Sequence, residues 1–165
     1  EMTGNTFAAK EWRQHPVFEG GVFLDGGIHD IALMRFLFGD AAEVKAFGVR
    51  HGKEYCSYRN INALIKFDRG VIGNFSFWSS STELQKPPVG LRIFGTCGDI
   101  YLESKECGTI SIHYKDGRSE QKQFKPSRGY YNEFVNYCDG NIVSTPENEL
   151  GDMNLIFELL EKAKA

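Results

Sequence analysis

The sequence contains no GxGxxG, the glycine-rich turn whose backbone amides hold a dinucleotide pyrophosphate at a helix N-terminus. By itself the chain therefore encodes no nucleotide cradle of that kind. Cysteine is sparse: Cys56, Cys97, Cys107 and Cys138 are widely spaced and form no CxxC pair, which argues against a zinc knuckle or a redox dithiol. Free thiols in a reducing cytoplasm are the expected state. No apolar run approaches the roughly 20 residues of a membrane span, and the N-terminus lacks the basic-then-apolar pattern of a leader, so the expectation is a soluble, cytoplasmic protein with no membrane partner. Basic excess is also missing. The formal net charge is -3 and Lys and Arg are interspersed with Asp and Glu, which leaves no electrostatic footprint for a nucleic acid.

What is present is ordinary for a globular fold: 41% hydrophobic and 25% charged residues. A length of 165 residues fits one domain spanning 1–165. The chain opens on Glu1 and enters mid-phrase with EMTGNTFAAKEW, which suggests a fragment of a longer chain.

Gly27 to Phe38 is apolar on nearly every face and stops at Gly39, the pattern of a buried helix with a glycine end. The period then changes to two. Ile61, Ala63, Ile65 and Phe67 alternate with Asn60, Asn62, Leu64 and Lys66 before a turn at Asp68-Arg69-Gly70. Further strands are expected at 44–49, 71–78, 91–94, 100–103, 109–114 and 120–124. Strands joined this closely cannot be parallel, so the sheet should be mainly antiparallel. Helices over Tyr130 to Asp139 and about Glu149 to Lys164 close the chain. The order implies an α+β fold, an open antiparallel sheet covered on one face by helices.

Asp25 and His29 stand four apart, so a helix beginning near Asp25 places both on one face at its N-terminal end. A carboxylate beside an imidazole favours the charged ring and fixes its tautomer, as a proton donor or acceptor near neutral pH requires. Gly26 and Gly27 would leave room there for a cofactor or sugar. Two blander readings stand beside this one: Asp25 as a helix cap with His29 a satisfied polar residue, or the pair as part of a metal site lacking an obvious third ligand.

Trp12-Arg13, Gly20-Gly21, Asp25-x-x-x-His29, Arg35 and Gly39 together resemble the signature WR…GGxxxDxGxHxxDxxRxLxG of the glucose-fructose oxidoreductase / inositol dehydrogenase / MocA family. The segments 44–48, 67–73, 93–103 and Tyr131-x-Glu133-Phe134 before Asp139-Gly140 follow in the family's order. The resemblance implies the C-terminal, substrate-side domain of an NAD- or NADP-dependent oxidoreductase acting on a sugar or polyol. It also implies a Rossmann domain upstream and a sheet face that mediates homo-oligomers. In that family the Asp and His work with a Lys of a Glu-Lys-Pro motif in the Rossmann domain to handle the hydroxyl proton. Carried over, Asp25 and His29 are the catalytic pair, Trp12 and Arg13 lie near the cofactor edge, and Tyr130 or Tyr131 reaches the substrate, with a core or interface tyrosine as the blander and favoured reading of the last two. The family's Asp three residues after the His is Ala32 here, against inositol-type specificity. Gln85-Lys86-Pro87 follows the Asp/His element rather than preceding it, so Lys86 is not the motif's lysine. A non-catalytic relative serving binding or assembly is the alternative.

Overall fold

The computed structural model describes residues 20–50, 58–78, 90–102, 108–124, 129–142 and 144–164. In chain order they form α1 (Gly21–Phe38), β1 (Ala41–Arg50), β2 (Tyr58–Phe67), β3 (Ile72–Trp78), β4 (Leu91–Phe94), β5 (Gly98–Leu102), β6 (Thr109–Tyr114), β7 (Ser119–Gln123), α2 (Gly129–Cys138) and α3 (Pro146–Lys162). The fold is α+β with antiparallel strands, as the alternation implied. The described residues fall into two compact units, the first holding β1–β3 with α1 and α3, the second β4–β7 with α2.

In the first unit the strands run in the order β1-β2-β3, all antiparallel. Ala46 pairs with Ala63, which pairs with Phe75; one step along, Phe47 pairs with Asn62 and Asn62 with Ser76. Side chains alternate across a pleated strand, so the first row faces inward and the second outward. Val44, Ala46, Ile61, Ala63, Ile65, Phe67 and Phe75 are accordingly buried. Helix α3 covers them with Leu155, Ile156, Leu159 and Leu160, and α1 with Phe23, Ile31 and Met34. Each such side chain contributes roughly 1.5–3 kcal/mol by leaving water. The helices pack antiparallel: Gly20 lies against Leu160, whereas Arg35 donates to the carbonyl of Asn148.

Two helix starts differ from the sequence expectation. α1 begins at Gly21 rather than Gly27, because Phe23 belongs to the core and extends the buried face by a turn. Asp25 is therefore inside the helix and does not cap it; Gly20, with φ 105°, occupies that place. At the other end Gly39, φ 88°, donates its amide to the Arg35 carbonyl and stops the helix as anticipated. α3 begins at Pro146 rather than Glu149, with the Thr145 hydroxyl accepting from the Asn148 amide at 3.3 Å.

In the second unit the order β4-β5-β6-β7 is a simple antiparallel meander. The strands thus divide between two sheets where a single one was expected. Tight turns at 95–97 and 115–118 oblige their flanking strands to pair, but residues 79–90 separate β3 from β4 and impose no such pairing. Ile93, Ile100 and Ile112 line one face in register, and Arg92, Tyr101 and Ser111 the other.

Candidate functional site on helix α1

Helix α1 presents two chemically different sides. Phe23, Ile31 and Met34 point into the core, while His29 is exposed, Asp25 half-buried and Phe36, two turns beyond His29, 66% exposed. Asp25 and His29 are one turn apart, which puts a carboxylate and an imidazole on the same side at the solvent boundary. Such a pair can exchange a proton with a bound hydroxyl or carbonyl and keep the ring correctly oriented while doing so.

The glycines beside the pair have another task than the one first expected of them. Gly27 is buried, and a β-carbon there would come within 2.7 Å of the Phe23 ring. At Gly26 it would meet the Phe77 ring at 3.6 Å. Their missing side chains admit core aromatics from within. Phe23 in turn packs edge-on to Phe77 at 5.1 Å between ring centroids and tilts against Phe75 at 6.1 Å. This fixes the inner side of the turn whose outer side carries Asp25 and His29.

At the far end of α1 lies a cluster that the sequence reading did not single out. Arg35 donates from Nη1 to the Asn148 carbonyl at 2.7 Å, pairs with the buried Asp152 carboxylate, and donates from Nε to Asp40 at 3.1 Å. Burial opposes the charge on Arg35, but the bonds and charges of Asp152 and Asp40 outweigh it and raise its pKa above the usual arginine value. A legible signal existed: Asp152 heads the same helix face as the apolar stripe Leu155, Ile156, Leu159 and Leu160. An acid on such a stripe needs a cation.

The other candidates are not gathered around Asp25 and His29. Trp12 and Arg13 lie outside the described residues, as does Lys86. Tyr130 and Tyr131 open α2 in the second unit, and their side chains lie outside the description. On that unit's polar sheet face the Arg92 guanidinium stacks 4.6 Å from the Tyr101 ring centre, and His113 Nδ1 lies 3.0 Å from Ser119 Oγ. The latter contact crosses a strand pair and so had no readable spacing. Among the described residues no three His, Cys, Asp or Glu side chains gather as metal ligands, and Cys97 and Cys138 are free and exposed. No described helix is long and apolar enough to cross a membrane.

Residues 2–101, well over half the chain, match the sequence profile of the GFO/IDH/MocA C-terminal domain. The chain belongs to this family. Among relatives of similar sequence, the uncharacterized protein YMR315W of Saccharomyces cerevisiae is 29% identical over 147 residues, covering 82% of this chain and 42% of that protein. Dehydrogenase FPY6 of Fusarium mangiferae is 25% identical, over 96% of this chain and 48% of its own length. In structure, an oxidoreductase from Thermotoga maritima superposes with a TM-score of 0.78 at 23% identity, covering 98% of this chain and 48% of its own. The UDP-N-acetylglucosamine 3-dehydrogenase of Acidithiobacillus ferrooxidans gives a TM-score of 0.70 at 17% identity, over 83% and 45% of the two chains. The chain spans about half the length of these relatives.

Proposed function

We propose that this GFO/IDH/MocA chain forms the substrate-side half of a nicotinamide-dependent oxidoreductase, with His29 as the group that exchanges the substrate's hydroxyl proton and Asp25 as its partner. The observation that carries the reading is the two-sidedness of α1: an acid and an imidazole one turn apart at solvent, backed by a helix side that is buried. A dehydrogenase among the relatives, and a solved structure of similar fold bound to NAD+ and L-tartaric acid, support the reaction class. Sugar-nucleotide dehydrogenases of the same fold support a sugar or polyol as substrate.

The described residues do not themselves fit the dinucleotide. Gly20, at the head of α1, packs against Leu160, and α3 opens on a proline followed by Glu147 and Glu149, which repel phosphate. The nucleotide would be held by residues beyond this chain, with Trp12 and Arg13 at its edge, and the nicotinamide when bound gives or takes the hydride. For this chain what remains is proton handling. In oxidation, His29 takes the hydroxyl proton as the carbon–oxygen double bond forms; in reduction it returns one to the new hydroxyl. Asp25, one turn away on the same side, orients the ring and holds its tautomer. Homo-oligomers through the open face of the first sheet complete the reading.

The test is a turnover screen of the full-length protein on sugars, polyols and their keto forms with NAD and with NADP. His29→Ala should lower turnover by roughly 100-fold or more with the fold intact, the scale of a lost general acid or base. Asp25→Asn should slow it as well. Undiminished turnover by His29→Ala on the substrate the wild type uses overturns the assignment and favours a binding or assembly role.

A further inference from the structure

Arg35 lies six residues past His29 on the same helix, and its guanidinium is used on three sides at once. Nη1 serves both the Asn148 carbonyl and the Asp152 carboxylate of α3, while Nε and Nη2 serve Asp40, at the entry to β1. The side chain is only 13% exposed and that of Asp152 only 6%, so the pair is largely shielded from water. Space for it has been cut from α3, because a β-carbon at Gly151 would collide with the guanidinium. The stop of α1 is tied to the same place: Gly39 donates to the Arg35 carbonyl, and Asp40 accepts the Asp68 amide at 2.8 Å through its own carbonyl.

Apolar packing alone leaves a helix some freedom to slide and rotate, since side chains of similar volume can repack. A planar fork with fixed donor directions does not. Two acceptors at set positions on α3, with Asp40 in the turn into β1 holding the other edge of the guanidinium, determine both where α1 sits along its axis and how it is turned. Its rotation decides where His29 points.

We propose that Arg35 is a positioning residue for the Asp25–His29 face, acting through the register and rotation of α1 and touching neither substrate nor cofactor. The inference rests on the proposed function for its catalytic consequence but not for its structural one. Lysine keeps the charge but lacks the planar fork, so it does not reproduce the set of directed bonds to Asn148, Asp152 and Asp40.

The experiment uses the full-length protein and three variants. Arg35→Lys keeps the charge. Arg35→Met alone strands Asp152 and is expected to unfold, so the informative variant is Arg35→Met with Asp152→Leu, which replaces a buried ion pair by apolar side chains of similar size and is commonly tolerated. Readouts are thermal melting, the ring nitrogen resonances of His29 by heteronuclear magnetic resonance, and kcat and KM separately. The expected result is a double variant that melts cooperatively, shifts the His29 resonances and loses about tenfold or more in kcat, as small misplacements of a reacting group do. Arg35→Lys should lie between it and wild type. A folded double variant with unmoved His29 resonances overturns the proposal. If the resonances move but His29→Ala turns over normally, positioning stands and the catalytic role of His29 falls.

Discussion

The Phe23 ring occupies the space where a side chain at Gly27 would be, one turn along the same helix, with 2.7 Å between the ring and the place a β-carbon would take. Because Phe23 is fully buried and wedged against Phe75 and Phe77, it cannot swing aside. Gly27→Ala therefore sets two effects against each other. Alanine gains about 1 kcal/mol in helix propensity, and overpacking costs roughly 1–3 kcal/mol. We expect net destabilisation of the order of 1 kcal/mol in urea unfolding; at an open helical glycine the same change stabilises.

The start of α3 offers a second measurement. Thr145→Ala removes the side-chain oxygen that accepts the Asn148 amide and should cost about 1 kcal/mol in the same assay, while Thr145→Ser should be near neutral.

Glu147 in that first turn carries a pH signature. Its carboxylate accepts its own backbone amide and the Thr145 hydroxyl, and both hold its pKa below the usual carboxylate value. A group whose folded pKa is depressed contributes stability above its unfolded pKa, about 4.3 for glutamate, and loses it as pH falls through the folded value. Wild type should accordingly exceed Glu147→Gln in stability at neutral pH by a small, constant margin that closes in acid. A margin that widens in acid contradicts the sign. The site is exposed, so added salt should shrink the margin too.

How far the sequence could be read depended on whether a signal was periodic or conformational. Alternation at Ile61, Ala63, Ile65 and Phe67 specified β2 and its buried face, and Gly39 marked the end of α1. The starts of α1 and α3 were less legible. Four glycines between Gly20 and Gly27 suppress a propensity-based helix, although packing by Phe23 overrides them. Thr145-Pro146 is an N-terminal signal that the apolar period, beginning later, concealed. Which apolar residues of β2 and β3 face the core is settled by the pairing register, which turns Phe75 and Phe77 inward and leaves Leu64 and Trp78 outside. Spacing sufficed to place Asp25 and His29 on one side of a helix. The Arg35 clamp joins α1 to α3 through contacts more than a hundred positions apart, and besides Arg35 in the signature only the lone acid at Asp152 hinted at them.

Cofactor binding by the 165-residue chain alone is a direct check on the division of labour proposed here. With no GxGxxG in the sequence, calorimetric titration of NADH or NADPH into it should give no saturable heat. Micromolar binding contradicts the assignment of the nucleotide site to residues beyond the chain.

The outer face of the first sheet carries the last prediction. Phe47 and Trp78 are 75% and 56% exposed there, alongside Val49, Leu64 and Ile72. Between them runs a polar ladder in which Ser76 Oγ donates to Asn62 at 2.7 Å and Asn62 Nδ2 to Asn60 at 2.8 Å. These two bonds are made within the face and survive its being covered, and the exposed aromatic area then favours association. A two-fold contact is the simplest way for one such face to cover another. We expect the full-length protein to sediment as a dimer or larger at tens of micromolar. Replacing Phe47 and Trp78 together by lysine should shift it towards monomer without lowering its melting temperature, because neither side chain belongs to the core. A wild-type monomer at that concentration removes the face as an assembly surface. A double variant that melts early instead marks the two aromatics as parts of the fold.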